Sequence, residues 1–164
     1  MAVGPNTFPV MLPIKGFKLG TTSAEIKYQD RRDLVVMEIA EGATVAGVFT
    51  LNRFCAAPVQ ICQKHLTAMS GQRTGAASVK RYLVTNTGYA NAGTGPDGYK
   101  NSLAVCERMA DIASVAVGNG LPCSRGVSGG RRPMEASEGA LGGCGEGGSE
   151  EGWEGAGRGS MRTG

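Results

Sequence analysis

The sequence concentrates asparagine, threonine and glycine in residues 86–95, which read Asn-Thr-Gly-Tyr-Ala-Asn-Ala-Gly-Thr-Gly. Glycine permits positive φ and close approach of the backbone. Asparagine tolerates the left-handed region, and its side chain bonds to nearby backbone groups. An ordinary surface turn does not need so many of these residues. Amides, hydroxyls and bare N–H groups packed this closely, directly after an apolar run, predict a loop that holds a small polar ligand or braces a catalytic centre.

The end of this loop also matches a nucleotide-binding pattern. Gly93–Gly98 satisfies G-x-G-x-x-G between a predicted strand and a predicted helix, the setting that a dinucleotide fingerprint requires. Pro96, however, removes a backbone N–H where a pyrophosphate needs donors. No later strand ends in the acidic residue that such folds carry, since Asp111 lies inside the helix. The pattern favours a glycine-rich structural turn, with nucleotide binding through Gly93–Gly98 as the weaker alternative.

Three further positions carry groups that could take part in catalysis. Arg53 follows the end of a predicted strand and could bind a substrate carboxylate bidentately, although composition favours a surface ion pair. His65, the single histidine, lies among polar neighbours on a predicted helix, which favours a structural role over a Ser–His–Asp triad. The backbone N–H of Gly126 could stabilise an oxyanion, as that of any exposed glycine could.

Composition excludes several classes of function. The five cysteines show no paired spacing such as C-x-x-C, which argues against a disulfide framework and against a metal site of the zinc type. The net charge of +3 comes from scattered basic residues, so we expect no nucleic-acid partner. No apolar run reaches the roughly 18 residues of a membrane span and no leader pattern opens the sequence. These features predict a cytoplasmic protein, or an organellar one in a eukaryote, with no membrane partner.

Hydrophobic periodicity predicts strands that alternate with helices. The strand at 34–40 and the strand at 45–50 are separated by few residues, so we expect them to pair as a hairpin. Helical spacing is clearest after Asp97, where an apolar stripe that includes Cys106 runs as far as Val117. Strands followed by a helix, twice, predict an α/β or α+β fold. The predicted strands are 15–20, 34–40, 45–50 and 82–85, and the predicted helices are 57–68 and 97–117.

Composition changes abruptly near residue 118. Of the 27 glycines, 16 lie in residues 118–164, which contain one aromatic residue and no lysine. A segment of this kind buries too little apolar surface to offset its conformational entropy. We therefore predict a globular N-terminal portion at 1–117 and a poorly ordered, glycine-rich tail at 118–164.

Several segments taken together resemble one enzyme family. The segments are 43–59, Ala-Thr-Val-Ala-Gly-Val-Phe-Thr-Leu-Asn-Arg-Phe-Cys-Ala-Ala-Pro-Val, and the loop at 86–95, with support from 16–20 and 32–34. They resemble the bifunctional glutamate N-acetyltransferase family, also called ornithine acetyltransferase, of arginine biosynthesis. The family's loop reads N-T-G-N-A-N-A-G-T-G, so Tyr89 departs from the usual Asn.

The resemblance implies a fold, an activity and partners. The fold is an α/β layered sandwich of mixed sheets and helices, incomplete in this chain. The implied activity of the complete enzyme is acetyl transfer from N-acetylornithine to glutamate, without metal or other cofactor. Family members cleave themselves into an α and a β chain, and the new N-terminal threonine of the β chain is the nucleophile. That threonine lies beyond this chain, so the resemblance implies a β-type partner chain, a hetero-oligomer and no activity for this chain alone.

The resemblance also assigns site residues. Residues 121–127 resemble the family's L-P-F-S-T-G-V, with Arg125 in place of the oxyanion threonine and Gly126 matching the oxyanion glycine. Residues 152–163 resemble a run that ends A-I-M-T-T-D, with Arg162 in place of the first substrate-binding threonine and Thr163 matching the second. The expected role of the loop is to brace the oxyanion segment and the nucleophile through Asn86, Thr87, Gly88, Asn91 and Gly93.

A second class of function stays open beside this one. The chain could be a non-catalytic fragment or interaction module that pairs with a β-type chain, because an incomplete sheet leaves unpaired edges that invite association. Three origins fit the glycine-rich tail: a shortened α-type chain, a decayed gene, or a shifted reading frame.

Overall fold

The computed structural model describes residues 9–27, 29–70, 79–130 and 134–160. A short 3-10 turn at Val117–Asn119 precedes the last strand. The strands are β1 (Phe17–Thr22), β2 (Leu34–Ile39), β3 (Arg81–Tyr89) and β4 (Gly120–Val127), and the helices are α1 (Ala57–Ser70), α2 (Gly95–Ala113), α3 (Met134–Glu146) and α4 (Trp153–Ser160).

The four strands form one mixed sheet in the order β1-β2-β3-β4. β2 pairs antiparallel with β1 and with β3, whereas β3 and β4 are parallel. A parallel pair needs a long crossover, and α2 provides it between the end of β3 and the start of β4. The α/β class expected from the sequence is confirmed.

Helices cover both faces of the sheet. Successive residues of β2 point to opposite faces, so Leu34 and Val36 pack under α2 and α3 while Val35 packs under α4. The α4 layer is small: Trp153 stacks on Phe17 with ring centroids 5.5 Å apart, and Ala156 is buried beneath. The larger core between the sheet and α2 and α3 contains Leu34, Val36, Tyr82, Val84, Val105, Met109, Leu141 and Cys144.

Most predicted elements are present, but the predicted hairpin is wrong. Residues 45–50 form no strand, and both edges of β2 are occupied by the more distant β1 and β3. The turn at Gly42, which has φ +87°, leads the chain away from the sheet instead of back along β2. The few residues between 34–40 and 45–50 favoured pairing of these two segments. The observed pairing of β2 with β3 joins residues that are farther apart in the sequence, and no short sequence pattern predicts it.

Helix α2 ends four residues earlier than its apolar stripe predicts. Ser114 adopts the left-handed conformation (φ 53°, ψ 46°), and its N–H bonds to Ala110 O, which closes the helix after Ala113. The strand that follows, β4, has no counterpart among the predicted elements. It begins with a glycine and contains Pro122, and proline is tolerated only in edge strands such as this one.

The glycine-rich segment differs from the poorly ordered tail that composition predicts. In its described residues it contains β4, α3 and α4, and Leu141, Cys144 and Ala156 are each at most 3% exposed. Glycine lets α4 approach the sheet closely. A Cβ added to Gly159 would lie 2.9 Å from Val35 Cγ2, so a side chain there would push α4 away. Close backbone packing thus replaces the long apolar side chains that the segment lacks.

Truncation of Leu141 tests whether this segment is packed as the structure describes. Because Leu141 is fully buried, Leu141→Ala is expected to lower the free energy of unfolding by about 2–5 kcal/mol in urea denaturation. Leu12→Ala, at a position that is 78% exposed, is the matched control and should change it little. Equal small effects of both substitutions would support the poorly ordered tail.

Alkaline pH should destabilise the fold through its buried thiols. Burial raises the pKa of the Cys106 and Cys144 thiols from 9.0 to about 12, so the folded protein disfavours their thiolates. Stability is expected to stay level below about pH 9 and to fall above it, because only the unfolded chain ionises there. Urea denaturation between pH 7 and 11 measures this. Cys106→Ala and Cys144→Ala should each make the unfolding free energy fall less steeply with pH, and Cys55→Ala, at a thiol that is only partly buried, is the control.

Candidate functional site

Residues 86–95, predicted as a loop, begin inside β3, which ends at Tyr89, and partly buried side-chain hydrogen bonds join them to strand β4. Asn86 lies opposite Ser124 in the parallel register, and Ser124 Oγ donates to Asn86 Oδ1 at 2.6 Å. Asn91 Nδ2 donates to Ser124 Oγ at 3.1 Å, and Asn86 Nδ2 donates to Tyr89 O at 2.9 Å. Asn86 and Asn91 are 1% and 2% exposed. These bonds connect the two amides to one hydroxyl and so fix the loop against β4.

Two glycines allow the loop and β4 to approach each other. Gly88 and Gly126 are register partners with φ of +104° and +141°. A Cβ on Gly126 would collide with the carbonyl of Gly88, so glycine is required there on both conformational and steric grounds. Asn91 also has positive φ (49°), which asparagine tolerates better than most residues.

Backbone hydrogen bonds extend the same attachment beyond the strands. Ala90 N–H donates to Val127 O at 3.0 Å, and Gly129 N–H donates to Ala92 O at 2.7 Å. On the other side of β3, the N–H of the buried Thr87 donates to Asp33 O at 2.8 Å. Hydrogen bonds to β4 and its extension on one side, and to Asp33 on the other, therefore fix the segment 86–92 in place.

Arg125, at the predicted oxyanion position, reaches toward α4. Its Nη1 donates to Ser160 O at 2.8 Å, where the carbonyl end of a helix favours a cation. Gly126 lies partly buried beside the loop. Of the other predicted site residues, Gly93 has φ +68° and lies against the Phe54 ring, while Arg162 and Thr163 lie outside the described residues.

Residues 93–96 of the pattern Gly93–Gly98 line a cavity of about 400 Å³. Residues 95–98 form the first turn of α2. Pro96 removes one donor from that turn and Asp97 adds a negative charge, so the turn is poorly suited to a phosphate. Arg53 lines the same cavity and is exposed, and it has no ion-pair partner among the described residues. The surface ion pair that composition favours for Arg53 is therefore not formed within this part of the chain.

His65 and Cys62, both on α1 beside β4, have structural contacts with that strand. His65 is 8% exposed, and its Nδ1 lies 2.7 Å from Gly120 O, so this nitrogen carries the hydrogen. Burial raises the pKa of the Cys62 thiol to about 11, which keeps it protonated at neutral pH.

Among the residues that the structure describes, no group of three His, Cys, Asp or Glu could hold a metal ion. The helices in that part of the chain include none long and apolar enough to cross a membrane.

Comparison with known proteins identifies the family. The model of the ArgJ family matches residues 18–151, most of the chain. The chain belongs to the ArgJ family. It is 45% identical over 163 residues to the arginine biosynthesis bifunctional protein ArgJ of Pseudomonas fluorescens (strain Pf0-1), and 44% identical to that of Pseudomonas syringae pv. tomato. In both cases the match covers 99% of this chain and 38% of the relative, so the chain spans under two-fifths of these ArgJ proteins.

Solved structures agree with this assignment. An ornithine acetyltransferase from Mycobacterium tuberculosis, complexed with ornithine, superposes with a TM-score of 0.81 at 29% identity and covers 94% of this chain and 79% of that chain. The ArgJ protein of Bacillus halodurans superposes with a TM-score of 0.67 at 26% identity and covers 78% of this chain and 62% of the other. The resemblance to the ornithine acetyltransferase family of arginine biosynthesis, seen in the sequence, is confirmed.

Sequence reasoning missed Ser124 as the centre of the hydrogen-bond network. The serine matches the family's L-P-F-S-T-G-V pattern, but nothing local indicates that it meets two asparagines far along the chain. Only the parallel register of β3 and β4 brings the three side chains together.

Removal of the Ser124 hydroxyl should weaken the fold at this network. Ser124→Ala leaves Asn86 Oδ1 one donor short in a buried position, which is expected to cost about 1–3 kcal/mol of unfolding free energy. In the same variant, hydrogen exchange of the backbone amides in residues 86–95 should be faster than in the wild type. Ser70→Ala removes an exposed hydroxyl at the end of α1 and is the control. Unchanged stability and exchange in Ser124→Ala would contradict the bracing role of the network.

Proposed function

We propose that this chain is part of an acyltransferase that moves an acetyl group from N-acetylornithine to glutamate. The observation that carries the proposal is the attachment of Ser124-Arg125-Gly126 to the Asn86–Asn91 loop, because the family resemblance assigns the oxyanion position to this segment. Membership of the ArgJ family and the superposition on an ornithine acetyltransferase complexed with ornithine support it.

The reaction that the family resemblance implies has two steps. A threonine hydroxyl attacks the acetyl carbonyl of N-acetylornithine, with the α-amine of the same threonine taking the proton. The α-ammonium then returns that proton to the leaving nitrogen as the C–N bond breaks, so ornithine leaves with a neutral amine and an acetyl ester of the threonine remains. The amine of glutamate attacks that ester, and the threonine hydroxyl is released with N-acetylglutamate. Each step passes through a tetrahedral oxyanion.

The proposed contribution of this chain is to stabilise that oxyanion. Donors that are held in place before the reaction stabilise a developing negative charge without reorganisation. We assign this role to Gly126, at the matching position of the family pattern, with the loop at 86–93 fixing the segment. Arg125 replaces the threonine hydroxyl expected beside Gly126, and its guanidinium bonds instead to Ser160 O. One of the two oxyanion donors of the family pattern is then lost.

The nucleophilic threonine is assigned to a β-type chain, so this chain alone is expected to be inactive and to act within a cytoplasmic hetero-oligomer. The chain spans 38% of the length of the Pseudomonas fluorescens relative. Substrate contacts are proposed for Arg162 and Thr163 on the family pattern. A non-catalytic interaction module is the second candidate, favoured by Val48 and Leu51, whose side chains are fully exposed.

Acetyl transfer tests the proposal directly. The purified chain is assayed with N-acetylornithine and labelled glutamate, alone and after co-expression with the C-terminal portion of the Pseudomonas fluorescens relative. The chain alone is expected to give no turnover above background, and the assembled pair is expected to give slow turnover. Arg125→Thr should raise kcat of the pair by about 10²-fold, because it restores an oxyanion donor.

Arg158→Thr is the control for this substitution, since it makes the same exchange on the exposed side of α4. Turnover by the chain alone would contradict the division of the site between two chains. An assembled pair in which Arg125→Thr has no more effect than Arg158→Thr would remove Arg125 from the oxyanion position.

A further inference from the structure

Two cysteines from distant parts of the chain line one small groove. The groove has a volume of about 180 Å³, and its wall includes Cys62 of α1 and Cys123 of β4. All five cysteines of the chain are free thiols in this structure. The family pattern for residues 121–127 has phenylalanine where this chain has Cys123, so the pair of thiols is a feature of this chain.

A hydrogen bond brings the two thiols close together. Cys62 Sγ donates to Pro122 O at 3.2 Å, and Pro122 is the residue before Cys123. In a trans peptide the carbonyl oxygen lies about 3 Å from the next Cα. Cys62 Sγ is therefore within about 6 Å of Cys123 Cα, a separation that rotation of the two side chains and a small backbone shift can turn into a disulfide.

The two thiols differ in exposure, which sets the order in which they react. Cys123 is exposed, whereas Cys62 is only partly accessible. Burial, and to a smaller degree the neighbouring Cys123, raises the pKa of the Cys62 thiol to about 11. A reagent in solution therefore meets Cys123 first, and Cys62 is the second thiol placed beside it.

The other three cysteines are less suited to pair with Cys123. Cys106 and Cys144 are each 1% exposed, and burial raises the pKa of both thiols to about 12. Cys55 lines the larger cavity near the start of α2 and is not among the residues that line the groove. Exposure and position thus favour Cys62 as the partner.

We propose that Cys62 and Cys123 are a redox-active pair that forms a disulfide between α1 and β4. The oxidant is a low-molecular-weight disulfide. The Cys123 thiolate attacks one sulfur of that disulfide, which forms a mixed disulfide and releases one small thiolate. Cys62 then loses its proton, and its sulfur attacks Cys123 Sγ and releases the second small thiolate. Two protein thiols are oxidised to one disulfide, the oxidant is reduced to two thiols, and these take up the two protons.

The disulfide acts on the strand that carries the candidate site. Ser124 directly follows Cys123, and its hydroxyl joins the amides of Asn86 and Asn91. Oxidation replaces the hydrogen bond of the Cys62 thiol to Pro122 O with a covalent bond to the next residue. The segment after Cys123 is then attached covalently to α1. This inference goes beyond the proposed function, because it needs only this chain and the oxidant.

Peptide mapping tests the pair. The full chain is incubated with glutathione disulfide, alkylated and digested with trypsin. The expected product joins residues 54–64 to residues 109–125 with the loss of two hydrogens, and dithiothreitol separates the two peptides. Because 54–64 contains two cysteines, the digestion is repeated with two variants. Cys55→Ser is the matched control and should keep the linked peptide, whereas Cys62→Ser should abolish it.

Several outcomes contradict the pair. A linked peptide that persists in Cys62→Ser, or a Cys123 that stays free or carries only glutathione, overturns the proposal. A dimer joined through Cys123 on non-reducing electrophoresis also overturns it, because the second thiol then comes from another chain. A linked peptide that forms faster in concentrated urea than in native buffer has the same meaning, since the fold then does not bring the thiols together.

Hydrogen exchange checks the attachment to β4. The backbone amides of residues 123–127 are expected to exchange several-fold more slowly in the oxidised chain, and dithiothreitol should restore the faster exchange. The same oxidant should leave this exchange unchanged in Cys123→Ser. Equal exchange in the oxidised and reduced wild-type chain would show that the bond does not restrain β4.

Discussion

The parallel pairing of β3 with β4 runs in unbroken register from Tyr82 opposite Gly120 to Tyr89 opposite Val127. Parallel strands cannot be joined by a tight turn, so α2 must cross the sheet between them. The same register places Asn86 opposite Ser124 and Gly88 opposite Gly126, and it leaves β4 at the end of the sheet. The hydrogen-bond network, the close contact of two glycines and the exposed edge are therefore three results of one pairing.

Local patterns in the sequence predicted what is local in the structure. The run of apolar, partly β-branched residues at 34–40 and the helical stripe after Asp97 correspond to β2 and α2, because strands favour branched side chains and burial of one helix face leaves a periodic trace. The hairpin partner of β2 and the existence of β4 were not predictable in this way. β4 pairs with residues 38 positions earlier along the chain, and its glycines and proline carry no strand propensity. For the same reason the loop at 86–95 was recognisable as unusual, whereas its attachment to Ser124 was not.

Composition gives no sign of the helices that the described residues after 118 form, for a different reason. The entropy argument assumes that burial comes from long side chains, but glycines of α4, and Gly20 of β1 beneath α3, let the helix backbones lie close to the sheet. Gly20 meets the carbonyl of Cys144 across such a contact, and neither residue type would be recognised as core from its size. Arg125 then connects β4 to the last carbonyl of α4, so the helix on one face of the sheet is tied to the strand that carries the candidate site.

The order of synthesis gives the crossover a kinetic consequence. Once residues 81–89 are free to fold, β3 can pair with β2 on one side, and its other edge is closed only by residues 120–127. Pairing over this separation is slow relative to helix formation, because the loop must close before any contact stabilises it. Until that pairing forms, the edge of β3 stays open, and α2 is the element whose rapid folding shortens the interval.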